Sequence, residues 1–93
     1  MNKEQYLEEL KVLFTDEKII ELISGIEPPL LKISDDSNKL PYSKKLYINK
    51  VWENIEKRLN NEDDGFIFEK NDILSIFIET FNFFLEKSLN LFY

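Results

Sequence analysis

The sequence contains no cysteine and no histidine among its 93 residues. Zinc sites with the usual ligands are therefore excluded, and so are cysteine nucleophiles and the Ser-His-Asp triad. Two glycines cannot supply a G-x-G-x-x-G phosphate loop, and neither a Walker-type nor a G-x-S-x-G motif occurs. We therefore expect a protein that is not an enzyme, with no catalytic residues, no metal and no cofactor.

Turn residues and long apolar runs are also scarce. With two glycines and three prolines, a β fold that turns every 8 to 12 residues or so is not expected. No uninterrupted apolar run exceeds three residues, and the N-terminus has no apolar stretch behind a basic head. We therefore predict neither a membrane span nor a signal peptide. The absence of cysteine is compatible with the cytosol, and we expect a cytoplasmic protein with one domain, residues 1–93.

The most apolar part of the chain is the C-terminal segment, residues 71–93. From Ile73 onward, thirteen of twenty-one residues are apolar, and five of these are phenylalanines. Its polar residues are spaced by three or four positions, which places them on one narrow stripe of a helix. The stripe consists of Asp72, Ser75, Glu79, Asn82, Glu86 and Asn90. Because the remaining apolar arc is wider than a surface helix needs, this segment is predicted to be the central helix.

Two shorter helices are predicted in the N-terminal third of the chain. Asn2 is expected to cap the first, with Gln5 as its reciprocal partner. Thr15, followed by two acidic residues, is expected to start the second. Gly25 is expected to end this second helix in a left-handed conformation. The apolar face of the first helix is predicted to comprise Tyr6, Leu7, Leu10, Leu13 and Phe14.

A long connection, residues 26–41, is predicted to follow, because Pro28 and Pro29 cannot continue a helix. Ser43 is then expected to cap a third helix that ends near Asn60. Its buried face is predicted to comprise Ile48, Val51, Trp52, Ile55 and Leu59. The chain is therefore expected to form an all-α, four-helix bundle-like domain, with the C-terminal helix central and a long loop between helices 2 and 3.

Residues 60–71 resemble a degraded EF-hand calcium loop between two helices. Asn60, Glu62 and Asp64 occupy the first, third and fifth positions of such a loop, and Gly65 occupies its sharp turn. The twelfth position, where the family has a bidentate glutamate, is Asn71, and the third position is glutamate instead of aspartate or asparagine. What the resemblance implies is at most a weak, degenerate calcium-responsive module.

The net charge of −6 is unevenly distributed along the chain. Residues 1–27 carry 3 basic and 7 acidic groups, residues 28–60 carry 7 and 4, and residues 61–93 carry 2 and 7. An acidic surface repels nucleic acid and attracts basic partners. We therefore expect one basic protein partner, and neither nucleic acid nor a membrane.

Several acidic side chains fall in the predicted connections, where they could dock this partner, and two tyrosines are expected to be exposed and to anchor the contact. The candidate partner-binding residues are Asp35, Asp36, Tyr42, Tyr47, Glu62, Asp63 and Asp64.

These features favour a non-catalytic inhibitor. The expected class is a small acidic bacterial immunity or antitoxin-type protein that neutralises a basic toxin domain, for example a nuclease, by occlusion. Three alternatives are a phage-type inhibitor of a host defence protein, the calcium-responsive module above, and a structural module. The structural module would self-associate through its apolar C-terminus, residues 91–93.

Overall fold

The structure is a computed structural model that describes residues 2–26 and 44–92. These residues form the helices α1 (Lys3–Leu13), α2 (Asp16–Ile26), α3 (Lys44–Asn60) and α4 (Lys70–Phe92). No strand occurs in the described ranges, so the predicted all-α, four-helix fold is confirmed. The long loop between helices 2 and 3 and the Ser43 cap lie outside the described residues. None of the described helices is both long and apolar enough to cross a membrane.

The first two helix starts follow the capping signals in the sequence. The Asn2 side chain accepts a hydrogen bond of 2.8 Å from the backbone N–H of Gln5. The Thr15 hydroxyl oxygen accepts one of 3.3 Å from the N–H of Lys18. Each side chain thus satisfies a backbone donor that has no partner inside its helix. Both predicted N-caps are confirmed, but the reciprocal bond expected from the Gln5 side chain is not formed with a described residue.

The predicted left-handed end of α2 at Gly25 is wrong. Gly25 lies inside the helix, which continues to Ile26, and the one glycine with positive φ in the described residues is Gly65. A glycine in a helix costs about 1 kcal/mol relative to alanine, which is too little to end a helix on its own. The apolar contacts of α2, which buries Ile19 and Ile23, outweigh this cost.

Helices α3 and α4 form the centre of the domain. Helix α3 packs against all three other helices, and α4 packs against α2 and α3. The residues of these two helices that form the core are Tyr47, Ile48, Val51, Ile55, Leu59, Ile73, Ile76, Phe77 and Phe81. On α4 four residues of the predicted stripe, Ser75, Glu79, Asn82 and Glu86, are exposed, whereas Asp72 is half-buried; the side chain of Asn90 lies outside the described ones. The C-terminal helix is therefore a core element, as predicted, and it shares that position with α3.

Buried polar contacts lie within the apolar interface of α3 and α4. The Asn54 side-chain amide donates a 2.9 Å hydrogen bond to the Thr80 hydroxyl oxygen. The Thr80 hydroxyl in turn donates a 2.7 Å bond to the carbonyl of Ile76. Thr80 is fully buried, so its hydroxyl would be costly to leave unpaired. The bond between Asn54 and Thr80 joins the two helices, so it favours one relative position over other positions that would bury a similar apolar area.

The prediction that Tyr47 is exposed is wrong. Its side chain is 1 % exposed, its ring meets Phe81 and Phe84 edge-on at centroid distances of 6.3 Å, and its hydroxyl donates a 2.8 Å bond to the Phe77 carbonyl. Tyr47 lies one residue before Ile48 and four before Val51, on the buried face of α3. Burial raises the pKa of the Tyr47 hydroxyl well above its usual range.

Replacement of Tyr47 by phenylalanine tests this contact. The variant Tyr47→Phe should lose about 1 kcal/mol of unfolding free energy at pH 7, because a buried hydrogen bond is removed. The unfolded tyrosine ionises near its ordinary pKa of 10.0, whereas the folded one keeps its proton to higher pH. The stability that Tyr47 contributes is therefore complete below about pH 10 and is lost as the pH rises.

At pH 11 the wild type should have lost about 1.4 kcal/mol through this residue, while the variant has no such loss. Urea unfolding of both proteins at pH 7 and pH 11 measures the difference. The other tyrosines are common to both proteins and serve as an internal control. An unchanged difference between the two pH values would contradict the buried, protonated hydroxyl.

Candidate functional site

The connection between α3 and α4, residues 61–69, is attached to the body of the protein by side-chain hydrogen bonds. The Lys3 ammonium donates a 2.6 Å bond to the backbone carbonyl of Glu62. The backbone N–H of Phe68 donates a 2.7 Å bond to the hydroxyl oxygen of Tyr6. Arg58 donates a 2.8 Å bond from Nε to the Glu62 carboxylate. We call this segment the acidic loop; α1 and α3 hold it from two sides.

Aromatic contacts reinforce this attachment. The rings of Tyr6 and Phe68 stack with centroids 6.2 Å apart, and Phe66 meets Phe68 edge-on at 5.0 Å. The Arg58 guanidinium lies over the Phe66 ring at 5.7 Å. The loop is therefore pre-organised, and a ligand that binds it has little loop ordering to impose.

A tight turn at residues 63–66 brings the chain back to the core. The backbone N–H of Phe66 donates a 3.1 Å bond to the carbonyl of Asp63, and Gly65, the third residue of the turn, has a φ of 87°. A side chain at this φ is strained, which explains why glycine suits the position.

The carboxylates of the acidic loop differ in their surroundings. Glu62 is half-buried and bound to Arg58, and its hydrogen bond holds the pKa of the guanidinium above its usual value. Asp63 and Asp64 are exposed, and neither forms an ion pair with a described residue. Glu62 therefore supports the loop, while Asp63 and Asp64 present two carboxylates to solvent.

The residues that resemble a calcium loop are arranged differently from a metal site. Asn60 is the last residue of α3, and the Glu62 carboxylate is turned to Arg58. No group of three or more acidic side chains within residues 2–26 and 44–92 could hold a metal ion. Contacts with Tyr6, Lys3 and Arg58 hold the loop in this arrangement instead.

A concave apolar surface adjoins the acidic loop. It has a volume of about 470 Å³ and lies between α1, the first turns of α2, residues 67–69 and the first turns of α4. We call it the apolar groove. Its apolar lining comprises Tyr6, Leu10, Leu13, Phe14, Leu22, Ile67, Phe68, Ile73 and Leu74. The charged side chains that line it are Lys18, Glu69 and Lys70.

Two large side chains of this groove are unusually exposed. Ile67 is 72 % exposed and Leu13 is 69 % exposed. Leu13 lines the groove together with Tyr6, Leu10 and Phe14 of the predicted apolar face, and it is exposed there because it is the last residue of α1, where the chain turns toward α2. Ile67 was not among the predicted site residues. Its position between the inward-facing Phe66 and Phe68 is the signal that could have identified it, since side chains of an extended segment alternate.

A second cavity, of about 660 Å³, lies between the first turns of α2 and α3. Its lining combines the apolar Ile20 and Ile48 with Asp16, Glu17 and Glu21. Carboxylates in the first turn of a helix are stabilised by the helix dipole, which accounts for Asp16 and Glu17. Asp16 and Glu17 therefore need no ligand to explain them.

The predicted binding residues divide into three groups. Asp35, Asp36 and Tyr42 lie outside the described residues. Tyr47 is enclosed by α3 and α4 and lines neither the groove nor the acidic loop. Glu62, Asp63 and Asp64 follow one another on the acidic loop, next to the exposed Ile67.

The turn of the acidic loop can be tested with a matched pair of glycine variants. An added Cβ meets no atom of a described residue within 4 Å at either Gly65 or Gly25, so the comparison of the two positions tests their backbone conformations. Gly65→Ala should lower the free energy of unfolding by about 1 kcal/mol because of its positive φ. Gly25→Ala should raise it by up to about 1 kcal/mol, because alanine is the better helix former. Urea unfolding measures both, and changes of the same sign would contradict the two conformations.

The surface built by these elements is thus an acidic loop, held by contacts with α1 and α3, beside an apolar groove. In comparisons with known proteins, no family model, no curated protein and no solved structure matches the chain.

Proposed function

We propose that the protein is a non-catalytic inhibitor that binds one basic protein partner through the acidic loop. The observation that carries the proposal is the pair of exposed carboxylates, Asp63 and Asp64, on a loop that Lys3, Tyr6 and Arg58 hold in place. Because the loop is held before binding, little ordering entropy opposes the association.

The charge around the loop supports a basic partner. Residues 2–26 and 61–72, which form α1, α2, the acidic loop and the start of α4, carry eleven acidic and four basic groups. Helix α3 has the opposite balance, with two acidic and five basic groups. Such a distribution orients an approaching basic protein toward the acidic side and accelerates its association.

The class of inhibitor that fits best is a bacterial immunity or antitoxin-type protein acting in the cytoplasm. A toxin that cleaves nucleic acid needs Lys and Arg side chains in its cleft to hold phosphates. The carboxylates of Asp63 and Asp64 would pair with those same cations and occlude the cleft. The exposed Ile67 beside them would take the place of Tyr47, which is buried, as an anchor of the contact.

Coproduction tests this function directly. The protein should restore growth to cells that produce the basic toxin encoded by the reading frame adjacent to its own gene. The purified pair should form a 1:1 complex by light scattering, with an affinity that falls as salt is added. Cells that remain poisoned, together with purified proteins that do not associate, would refute the proposal.

Two charge-matched double variants test the part played by the acidic loop. Asp63→Asn with Asp64→Asn should slow association with this toxin by about fivefold at low salt, because two steering charges are removed. Glu56→Gln with Glu86→Gln removes the same charge from exposed positions of α3 and α4 and should change the rate less than about twofold. Stopped-flow mixing measures both, and equal slowing by the two pairs would contradict a role specific to the loop.

A further inference from the structure

The apolar groove has the size and lining of a small-molecule site. It is concave, has a volume of about 470 Å³ and is lined mostly by apolar side chains from α1, α2, α4 and residues 67–69. Small-molecule sites in proteins are clefts of roughly 300 to 1,000 Å³ with an apolar lining and a few polar groups that orient the ligand. The lining therefore suits an apolar ligand body, and its charged side chains indicate the head group.

The charged side chains at the groove give it a local positive balance. Lys18 and Lys70 line it together with one acidic residue, Glu69. Neither lysine forms an ion pair with a described residue. Two lysines and one glutamate leave a net charge of one positive, 2 − 1, in the lining. This balance matches a singly charged carboxylate better than a phosphate, which carries nearly two negative charges at pH 7.

One wall of the groove indicates the length of the ligand. Tyr6, Leu10 and Leu13 lie on successive turns of α1, and all of them line the groove. From Tyr6 to Leu13 the helix rises about 10 Å, at roughly 1.5 Å per residue. An extended alkyl chain advances about 1.25 Å per carbon, because its bonds of about 1.5 Å alternate in direction. The wall therefore accommodates a chain of about eight carbons.

Two other occupants fit this lining less well. A second copy of the chain, packed symmetrically on the same face, would bring its Lys18 and Lys70 close to those of the first copy, and like charges oppose association. An amphipathic helix in a groove uses anchors spread over several turns, whereas the α1 wall is about two turns long. A single alkyl chain with an anionic head meets neither difficulty.

We propose that the apolar groove binds a medium-chain fatty acid. The alkyl chain lies along the α1 wall and covers Leu13 and Ile67, which are both exposed in the free protein. The carboxylate faces Lys18 and Lys70. This site goes beyond the proposed inhibitor function and does not depend on it.

The overall charge of the protein makes the sign of the ligand preference informative. The chain has a net charge of −6, so nonspecific adsorption favours a cationic amphiphile over an anionic one. At a salt concentration of about 0.15 M, exposed charges more than about 8 Å from the head group are largely screened, and the lysines of the groove dominate there. A preference for the anion therefore requires the local charge of the groove.

The test compares decanoate with decylammonium, an amphiphile of similar length and opposite charge. Both are titrated, below micelle-forming concentrations, into the full ¹⁵N-labelled chain at about 0.15 M salt and followed by NMR. Decanoate should shift the amide signals of Leu13, Ile67 and Leu74 most strongly, and it should bind at least about fivefold more tightly than decylammonium. Octanoate should bind about tenfold more tightly than hexanoate, because two further methylene groups leave water.

Matched lysine variants test the head-group contact. Lys18→Gln with Lys70→Gln should weaken decanoate binding about fourfold, because two attractive charges are removed. Lys45→Gln with Lys57→Gln removes the same charge from exposed positions of α3 and should change the affinity less than about twofold.

A second matched pair tests the alkyl contact. Ile67→Ser should weaken decanoate binding about fivefold, because an apolar side chain of the lining is lost. Val12→Ser shortens a side chain that is 78 % exposed and does not line the groove, and it should change the affinity less than about twofold. Circular dichroism of each variant confirms that it folds.

Four results would overturn the fatty-acid site. They are decylammonium binding that equals or exceeds that of decanoate, decanoate shifts centred outside the groove, equal weakening by the two lysine pairs, and self-association of the free chain that shifts Leu13 and Ile67 as its concentration rises. The coproduction experiment does not measure fatty-acid binding, so failure of either test leaves the other proposal standing.

Discussion

The packing of α3 against α4 is the interaction on which the rest of the structure depends. Its apolar side chains are accompanied by buried hydrogen bonds. The Tyr47 hydroxyl donates to the Phe77 carbonyl, the Asn54 amide donates to the Thr80 hydroxyl, and this hydroxyl donates to the Ile76 carbonyl. Apolar burial is non-directional, so by itself it tolerates sliding of one helix along the other. Buried hydrogen bonds between the helices remove this freedom, because a buried donor or acceptor that loses its partner destabilises the fold by roughly 1 to 3 kcal/mol.

The acidic loop acquires its shape from this interface and from α1. It joins the end of α3 to the start of α4, so the position of these two helices sets the span that residues 61–69 must bridge. Tyr6 and Lys3 of α1 then bind the loop backbone from the side. A charged loop held in this way can present Asp63 and Asp64 in one arrangement, which is the property that a steering surface needs. The same contacts leave Ile67 outside, beside the apolar groove.

Prediction from sequence succeeded where a local rule decides the outcome. Asn2 and Thr15 cap their helices because a side-chain oxygen and a nearby backbone N–H need no distant partner. The exposed residues Ser75, Glu79, Asn82 and Glu86 follow from helical periodicity in the same way. It failed at Tyr47 and Gly25. Tyr47 is covered by α4, and Gly25 belongs to a helix supported by the core.

The amino-acid sequence alone determined the all-α class, the helix starts at Asn2 and Thr15, the acidic character of residues 61–69 and the core position of the C-terminal helix. All of these depend on composition, spacing and neighbours within one turn. The tertiary structure decided which aromatic side chains are buried, that the Glu62 carboxylate binds Arg58 while Asp63 and Asp64 form no ion pair with a described residue, and that Leu13 and Ile67 line one groove. Most of these outcomes join residues that are distant in the chain: Tyr47 and Phe77 are 30 positions apart, and Tyr6 and Phe68 are 62 positions apart. Periodicity describes one face of one helix, and it carries no information about which other element covers that face.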